Sequence, residues 1–111
     1  EELKSSEVDI DGHNGQIKLY ENASLEMLRR YADKALKKVE FSFSVFISKD
    51  EDKLSYIVTA DKNLSAKSII SKVNECFVGS GGGRDDFAQG GSQDLDNIES
   101  KFEQLEDNLK N

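Results

Sequence analysis

Apolar positions change period several times along this chain, and each change marks an element. Residues 1–12 are polar, with Val8 and Ile10 alternating weakly, and read as a lead-in to a single globular domain over residues 13–111. The turn formers Asp11-Gly12-His13-Asn14-Gly15 deliver the chain into a short strand, Gln16–Tyr20, with Ile17 and Leu19 on one face. Asn22 or Ser24 caps a first helix, with Ser24 favoured because Met27 and Leu28 follow closely. Along that helix Leu25, Leu28, Ala32, Ala35, Leu36 and Val39 recur at helical steps and predict one buried stripe.

The period then drops to two. Phe41, Phe43, Val45 and Ile47 point one way with serines between them, and after Asp50-Glu51-Asp52 a second β-rich run spans Leu54–Thr59. The pair predicts an antiparallel hairpin, and the apolar Phe46 and Ile57 on its second face suit strands near a sheet centre. A second helix starts near Ser65, with Ala66, Ile69, Ile70, Val73, Cys76 and Phe77 on one side, and Gly79 is expected to end it in the left-handed conformation. A glycine loop, Gly79–Gly83, follows, then a possible short strand at Phe87–Gln89. A third helix is expected from about Asp94, with a narrow seam of Leu95, Ile98, Phe102, Leu105 and Leu109. The reading is an α/β (α+β-like) domain. Its small mixed sheet carries helices mainly on one face, in the order strand, helix, strand, strand, helix, glycine loop, possible strand, helix.

Composition narrows the function. With 111 residues, 36% hydrophobic and 33% charged, the chain suits one soluble domain. It has no apolar run near the ~18 residues of a membrane span and no signal peptide. It begins at Glu1 rather than Met, as expected of a fragment or processed chain. One cysteine excludes an internal disulfide, and with one histidine it excludes an ordinary Cys/His zinc cluster. Both fit a reducing, cytoplasmic setting. The net charge of −7 looks hostile to nucleic acid, but residues 1–84 hold 13 basic against 14 acidic residues, while residues 85–111 hold 2 against 8. The acid sits in the tail, and the rest is free to carry basic patches.

Gly81, Gly82 and Gly83, followed by Arg84, form the most unusual segment. Neither GxxxxGK[ST] nor GxGxxG fits it, which argues against a nucleotide cradle. A helix stop with a flexible linker is the plain reading. Three adjacent glycines exceed that need, since each costs backbone entropy on ordering, and close approach to a partner is the functional reading. Arg84 can meet phosphate or a base, and Asp86 and Gln89 can bond loop amides; equally, Arg84 and Asp86 can simply pair with each other. Lys62, Lys67 and Lys72 precede the loop, opposed locally only by Glu75. Arg29, Arg30, Lys34, Lys37 and Lys38 form a strip on the first helix that reads mainly as a solvated face, with Glu26 and Asp33 as internal partners. His13 is a turn residue, Cys76 a buried thiol, and Asp85-Asp86 a weak candidate for metal. Nothing assembles a nucleophile, a base and an orienting group. No catalytic or metal residue is assigned, and the chain reads as a binding module. The third-helix seam docks on its own sheet or, less favoured, pairs with a second copy, and Glu99, Glu103, Glu106 and Asp107 make its outer side acidic.

The run Gly81-Gly82-Gly83-Arg84-Asp85-Asp86-Phe87-Ala88-Gln89-Gly90-Gly91 resembles the signature of the C-terminal, DHHA1-type domain of alanyl-tRNA synthetases. That family reads GGGRPD, an apolar residue, AQ, a small residue and glycine. Here Asp85 stands at the proline and Gly90 at the small residue. The element order extends the likeness over residues 13–111. It implies a domain that grips the elbow of an alanine-accepting tRNA and tethers aminoacylation and editing modules of a larger chain. Gly81, Gly82, Gly83, Arg84, Lys62, Lys67 and Lys72 would meet the RNA, and Asp86, Gln89, Gly90 and Gly91 would shape the loop. ATP, magnesium and zinc are implied only for other parts of the parent ligase. The alternatives are a dimerisation module using the Leu95 to Leu109 seam, or the appended domain of a DHH-type phosphoesterase or free-standing alanyl-tRNA editing protein.

Overall fold

The computed structural model describes residues 1–38 and 40–110. Its elements are β1 (Glu2–Ile10), β2 (His13–Glu21), α1 (Leu25–Lys37), β3 (Phe43–Lys49), β4 (Leu54–Ala60), α2 (Ala66–Phe77), β5 (Ser80–Gly83), β6 (Phe87–Ser92) and α3 (Ile98–Lys110). Among the described residues the strands form one mixed sheet in the order β1-β2-β3-β4-β6-β5, in which β2 and β3 are parallel and the other neighbours antiparallel.

Handedness decides where the helices lie. The units β2–α1–β3 and β4–α2–β5 both connect parallel strands, since β4 and β5 are each antiparallel to β6. Both advance the same way across the sheet, but β4 runs opposite to β3. Right-handed crossovers therefore carry α1 and α2 to opposite faces. The third helix returns to the α2 side, so two of the three helices share a face. That side holds the larger core, in which Ile17, Leu19, Phe43, Val45, Ile47, Tyr56 and Val58 meet Ile70, Val73 and Phe77 of α2 and Phe102 and Leu105 of α3. The α1 side is smaller, with Leu28 and Ala32 packed on Phe46 and Ile57. Ser24 caps α1 by accepting the Met27 amide at 3.1 Å.

Several sequence expectations need correction. The lead-in, read as a segment that pairs late, pairs along its whole length as an edge strand, because Asp11 and Gly12 both take positive φ (50° and 86°) and close a two-residue hairpin onto β2. The α1 stripe is rotated: Tyr31 stacks on Tyr20 with ring centroids 4.9 Å apart, which turns the buried arc that way and leaves Leu36 46% exposed. Val39 lies outside the described residues. The third helix begins at Ile98 rather than Asp94, because Asn97 is left-handed (φ 55°) and the Asp94 carboxylate is used on the Asp96 amide at 3.0 Å. Leu95 packs on the core from outside the helix.

Gly79 does not supply the left-handed end of α2. Val78 does, at φ 55° and ψ 48°, with its side chain exposed. Gly79 is required for space instead: a Cβ there would run into the Tyr56 hydroxyl and the Gly91 carbonyl. A β-branched residue in that conformation is strained by about 1–2 kcal/mol. Val78→Gly should therefore raise stability by about 1 kcal/mol in chemical denaturation, after allowance for the entropy of the unfolded chain; an unchanged or lower midpoint contradicts the strain. In the α1 stripe, Leu28→Ala should cost about 3 kcal/mol and Leu36→Ala less than about 0.5 kcal/mol, and equal losses would contradict the rotation.

Candidate nucleic-acid interface

The glycine segment is an edge strand, not a loop. Ser80–Gly83 pairs with β6 on one side only, and all four residues are exposed. The chain turns back through Arg84–Asp85–Asp86–Phe87, closed by the Arg84 amide donating to the Phe87 carbonyl at 2.8 Å. The three glycines serve different ends. A Cβ at Gly81 would strike the Gln89 carbonyl and the Gly90 Cα, and one at Gly83 the Phe87 carbonyl and the Ala88 Cα, so both positions are glycine because β6 passes too close. At Gly82 an added Cβ meets open space.

Beneath this hairpin lies Tyr56, fully buried. Its ring occupies the side-chain space of Gly90, and its hydroxyl that of Gly79. The hydroxyl donates to Oδ1 of Asn74 on α2, and Nδ2 of Asn74 donates to the Gly81 carbonyl at 3.2 Å. A chain of bonds thus runs from the core to the sheet edge. Sequence reasoning missed both residues. A tyrosine among apolar strand residues and an asparagine on a helix carry no local signal of this bond.

Arg84 is exposed and places Nε 3.2 Å from the Asp86 carboxylate, so Asp86 bonds a guanidinium and not the loop amides. The Gln89 side chain points to the opposite face of the sheet, where its Oε1 accepts from Arg29 of α1 at 3.2 Å. Gly90 and Gly91 lie within β6, between β4 and β5. Asp85, at the family's proline, is integrated into the fold: its carbonyl accepts the Ala66 amide at 2.7 Å, and its carboxylate accepts the Ser65 hydroxyl at 2.9 Å. The turn is therefore stapled to the start of α2, and a proline there would keep the first of these bonds.

The same staple gathers basic groups. Lys62 and Lys67 flank Ser65 and Ala66 and are exposed, so they stand at the Arg84 end of β5. Asp61, Asp85 and Asp86 share that end, each already accepting a bond. Lys72 is turned away, with Nζ 3.3 Å from the Asn108 carbonyl of α3. At the Ser80 end an open groove of about 670 Å³ runs past Leu25, Ser80, Gly90 and Gly91.

The α3 seam is occupied within the chain: Ile98, Phe102, Leu105 and Leu109 are all buried on the sheet and α2. Those side chains are not presented to a second copy. On the outer side, Glu103 and Glu106 face Lys4 and Ser6 of β1. Cys76 is buried, its thiol pushed up by burial against the opposing hydrogen bond from Asn108. Among the described residues no group of three or more His, Cys, Asp or Glu could hold a metal ion.

The DHHA1 domain family matches residues 12–111. The chain is 35% identical over 94 residues to the alanine–tRNA ligase of Endomicrobium trichonymphae, covering 80% of this chain and 11% of that protein. It is 35% identical over 104 residues to the alanine–tRNA ligase of Thermotoga petrophila, covering 90% and 12%. Among solved structures, the C-Ala domain of Aquifex aeolicus alanyl-tRNA synthetase superimposes with a TM-score of 0.79 at 25% identity, covering 96% of this chain and 99% of that one. The chain thus spans about a tenth of the curated relatives and nearly all of the C-Ala domain.

Burial pushes the Tyr56 phenol up to about 12, and Tyr20 likewise reaches about 12 through burial and the nearby Glu2. An unfolded tyrosine ionises near 10. Each phenol therefore supports the fold fully below pH 10 and loses that contribution as pH rises through about 12. Tyr56→Phe should be less stable at neutral pH but should lose stability less steeply over that alkaline range. A decline parallel to the unmodified chain would contradict this. Gly81→Ala and Gly83→Ala should each lower the melting temperature, whereas Gly82→Ala should leave it unchanged or raise it; equal effects would contradict the one-sided crowding.

Proposed function

The chain belongs to the DHHA1 domain family, and on that premise we propose that it is the C-terminal domain of an alanine–tRNA ligase whose task is to hold tRNA. The observation that carries the reading is the exposed β5 edge, poor in side chains, beside Arg84, Lys62 and Lys67. Folded RNA is recognised through shape, phosphates and hydroxyls, and a strand without side chains lets such a surface approach to backbone distance. The domain grips the outer corner of the alanine-accepting tRNA and keeps it near the aminoacylation and editing modules of the parent chain, in the cytoplasm. ATP, magnesium and zinc belong to those other modules, and this domain supplies binding alone. We assign no phosphate contact to Lys72, which α3 holds. The carboxylates among the lysines keep the grip weak, with about three phosphates engaged.

Gly82 offers a clean test, because a Cβ added there meets open space. Gly82→Val should not lower the melting temperature and should weaken binding of an alanine-accepting tRNA transcript about tenfold. Lys62→Glu with Lys67→Glu should flatten the plot of log affinity against log salt by roughly 1.5. Unchanged affinity in Gly82→Val would remove the β5 edge from the interface.

A further inference from the structure

We infer that Asn74 sets the chemical selectivity of the β5 edge at Gly81, leaving that rung an amide donor for a phosphate oxygen rather than a template for another strand; this rests on the tRNA reading above. An exposed edge normally offers donors and acceptors in alternation, which is why edges recruit strands. In this hairpin the Arg84–Phe87 bond marks a hydrogen-bonded rung. By antiparallel alternation the next bonded rung falls at Gly82–Gln89, so the N–H and C=O groups of Gly81 and Gly83 point away from β6. The bond from Asn74 to the outward Gly81 carbonyl fits that geometry. It removes an acceptor from the edge and leaves the Gly81 donor in place.

The consequence differs by partner. An added strand must exchange both groups at Gly81, so it loses that rung. A phosphate oxygen only accepts, so it loses nothing and is spared an outward carbonyl dipole. The amide cannot turn round, because only its nitrogen can donate to the carbonyl, and its oxygen then faces the Tyr56 hydroxyl. Tyr56 is fully buried and thus holds Asn74 from the core. Arg84 follows Gly83 directly and puts a cation at the end of that edge. Asn74 is a positioning residue here, acting through the backbone of Gly81.

Asn74→Asp keeps an acceptor for Tyr56 but removes the donor to Gly81, and Asn74→Ala removes both without adding charge. Adding an alanine-accepting tRNA transcript to the labelled 111-residue chain should move the amide resonances of Gly81 and Gly83. In both variants those shifts should shrink, with affinity falling about tenfold in Asn74→Asp and about threefold in Asn74→Ala. If both variants fold and bind like the unmodified chain, or only Asn74→Asp weakens, the effect is absent or merely one of charge, and the inference is overturned while the tRNA reading stands. If tRNA binds the unmodified chain without moving the Gly81 and Gly83 amides, the glycine edge is not the contact and the reading itself falls. Should neither variant fold, Tyr56→Phe, which removes only the hydroxyl that orients the amide, should weaken binding about threefold, and an unchanged affinity there overturns the inference.

Discussion

Tyr56 lies under the closing hairpin, and the backbone around it is bare because its ring and hydroxyl already fill the space. Gly79 and Gly90 have no side chain for that reason. The hydroxyl reaches Asn74 and, through it, the outer carbonyl of Gly81. Ser92 completes the closure by donating its hydroxyl to the Phe77 carbonyl at the end of α2, at 2.7 Å. The exposed β5 edge is thus tied inward to one buried phenol. Packing thus accounts for Gly79, Gly81, Gly83 and Gly90.

Packing also separates two demands on a glycine-rich signature. Gly81 and Gly83 answer to β6, whereas Gly82 answers to nothing inside the domain. The same economy of contacts absorbs the departure at residue 85. A proline would have stiffened the turn; the aspartate instead ties it to Ser65, whose side chain also caps α2 by accepting the Ser68 amide. Rigidity comes from a tertiary bond in place of a covalent ring, and the extra negative charge sits near a helix N-terminus, where it is tolerated.

Charge is distributed with similar discrimination. Acidic α3 lies on the α2 side and directs two of its glutamates at β1, so the edge strand outside the family match is held by polar contacts with the last helix. Lys4 adds to this by lying 5.3 Å from the centre of the Phe102 ring. Basic α1 occupies the other face, where Arg29 reaches β6 through Gln89. The Arg84 end of β5 thus sets Arg84, Lys62 and Lys67 among Asp61, Asp85 and Asp86, beside bare backbone. The net charge of −7 says little about this surface.

Local chemistry determined much of this protein in advance. Alternation marked β3 and β4, the apolar stripe and Ser24 marked α1, and the glycine-arginine segment marked both the family and the candidate site. These are short-range signals, carried by residues within a few positions of one another. Tertiary structure decided what depends on distant partners. Right-handed crossovers divided the helices between faces, Tyr20 rotated α1, and β6 turned an expected loop into an edge strand. The roles of Tyr56 and Asn74 belong to this second kind, because each is defined by a group that only folding brings within reach. A hydrogen bond spanning 18 residues leaves no pattern in the intervening chain, so composition and period revealed the strip of glycines but not the phenol that holds it.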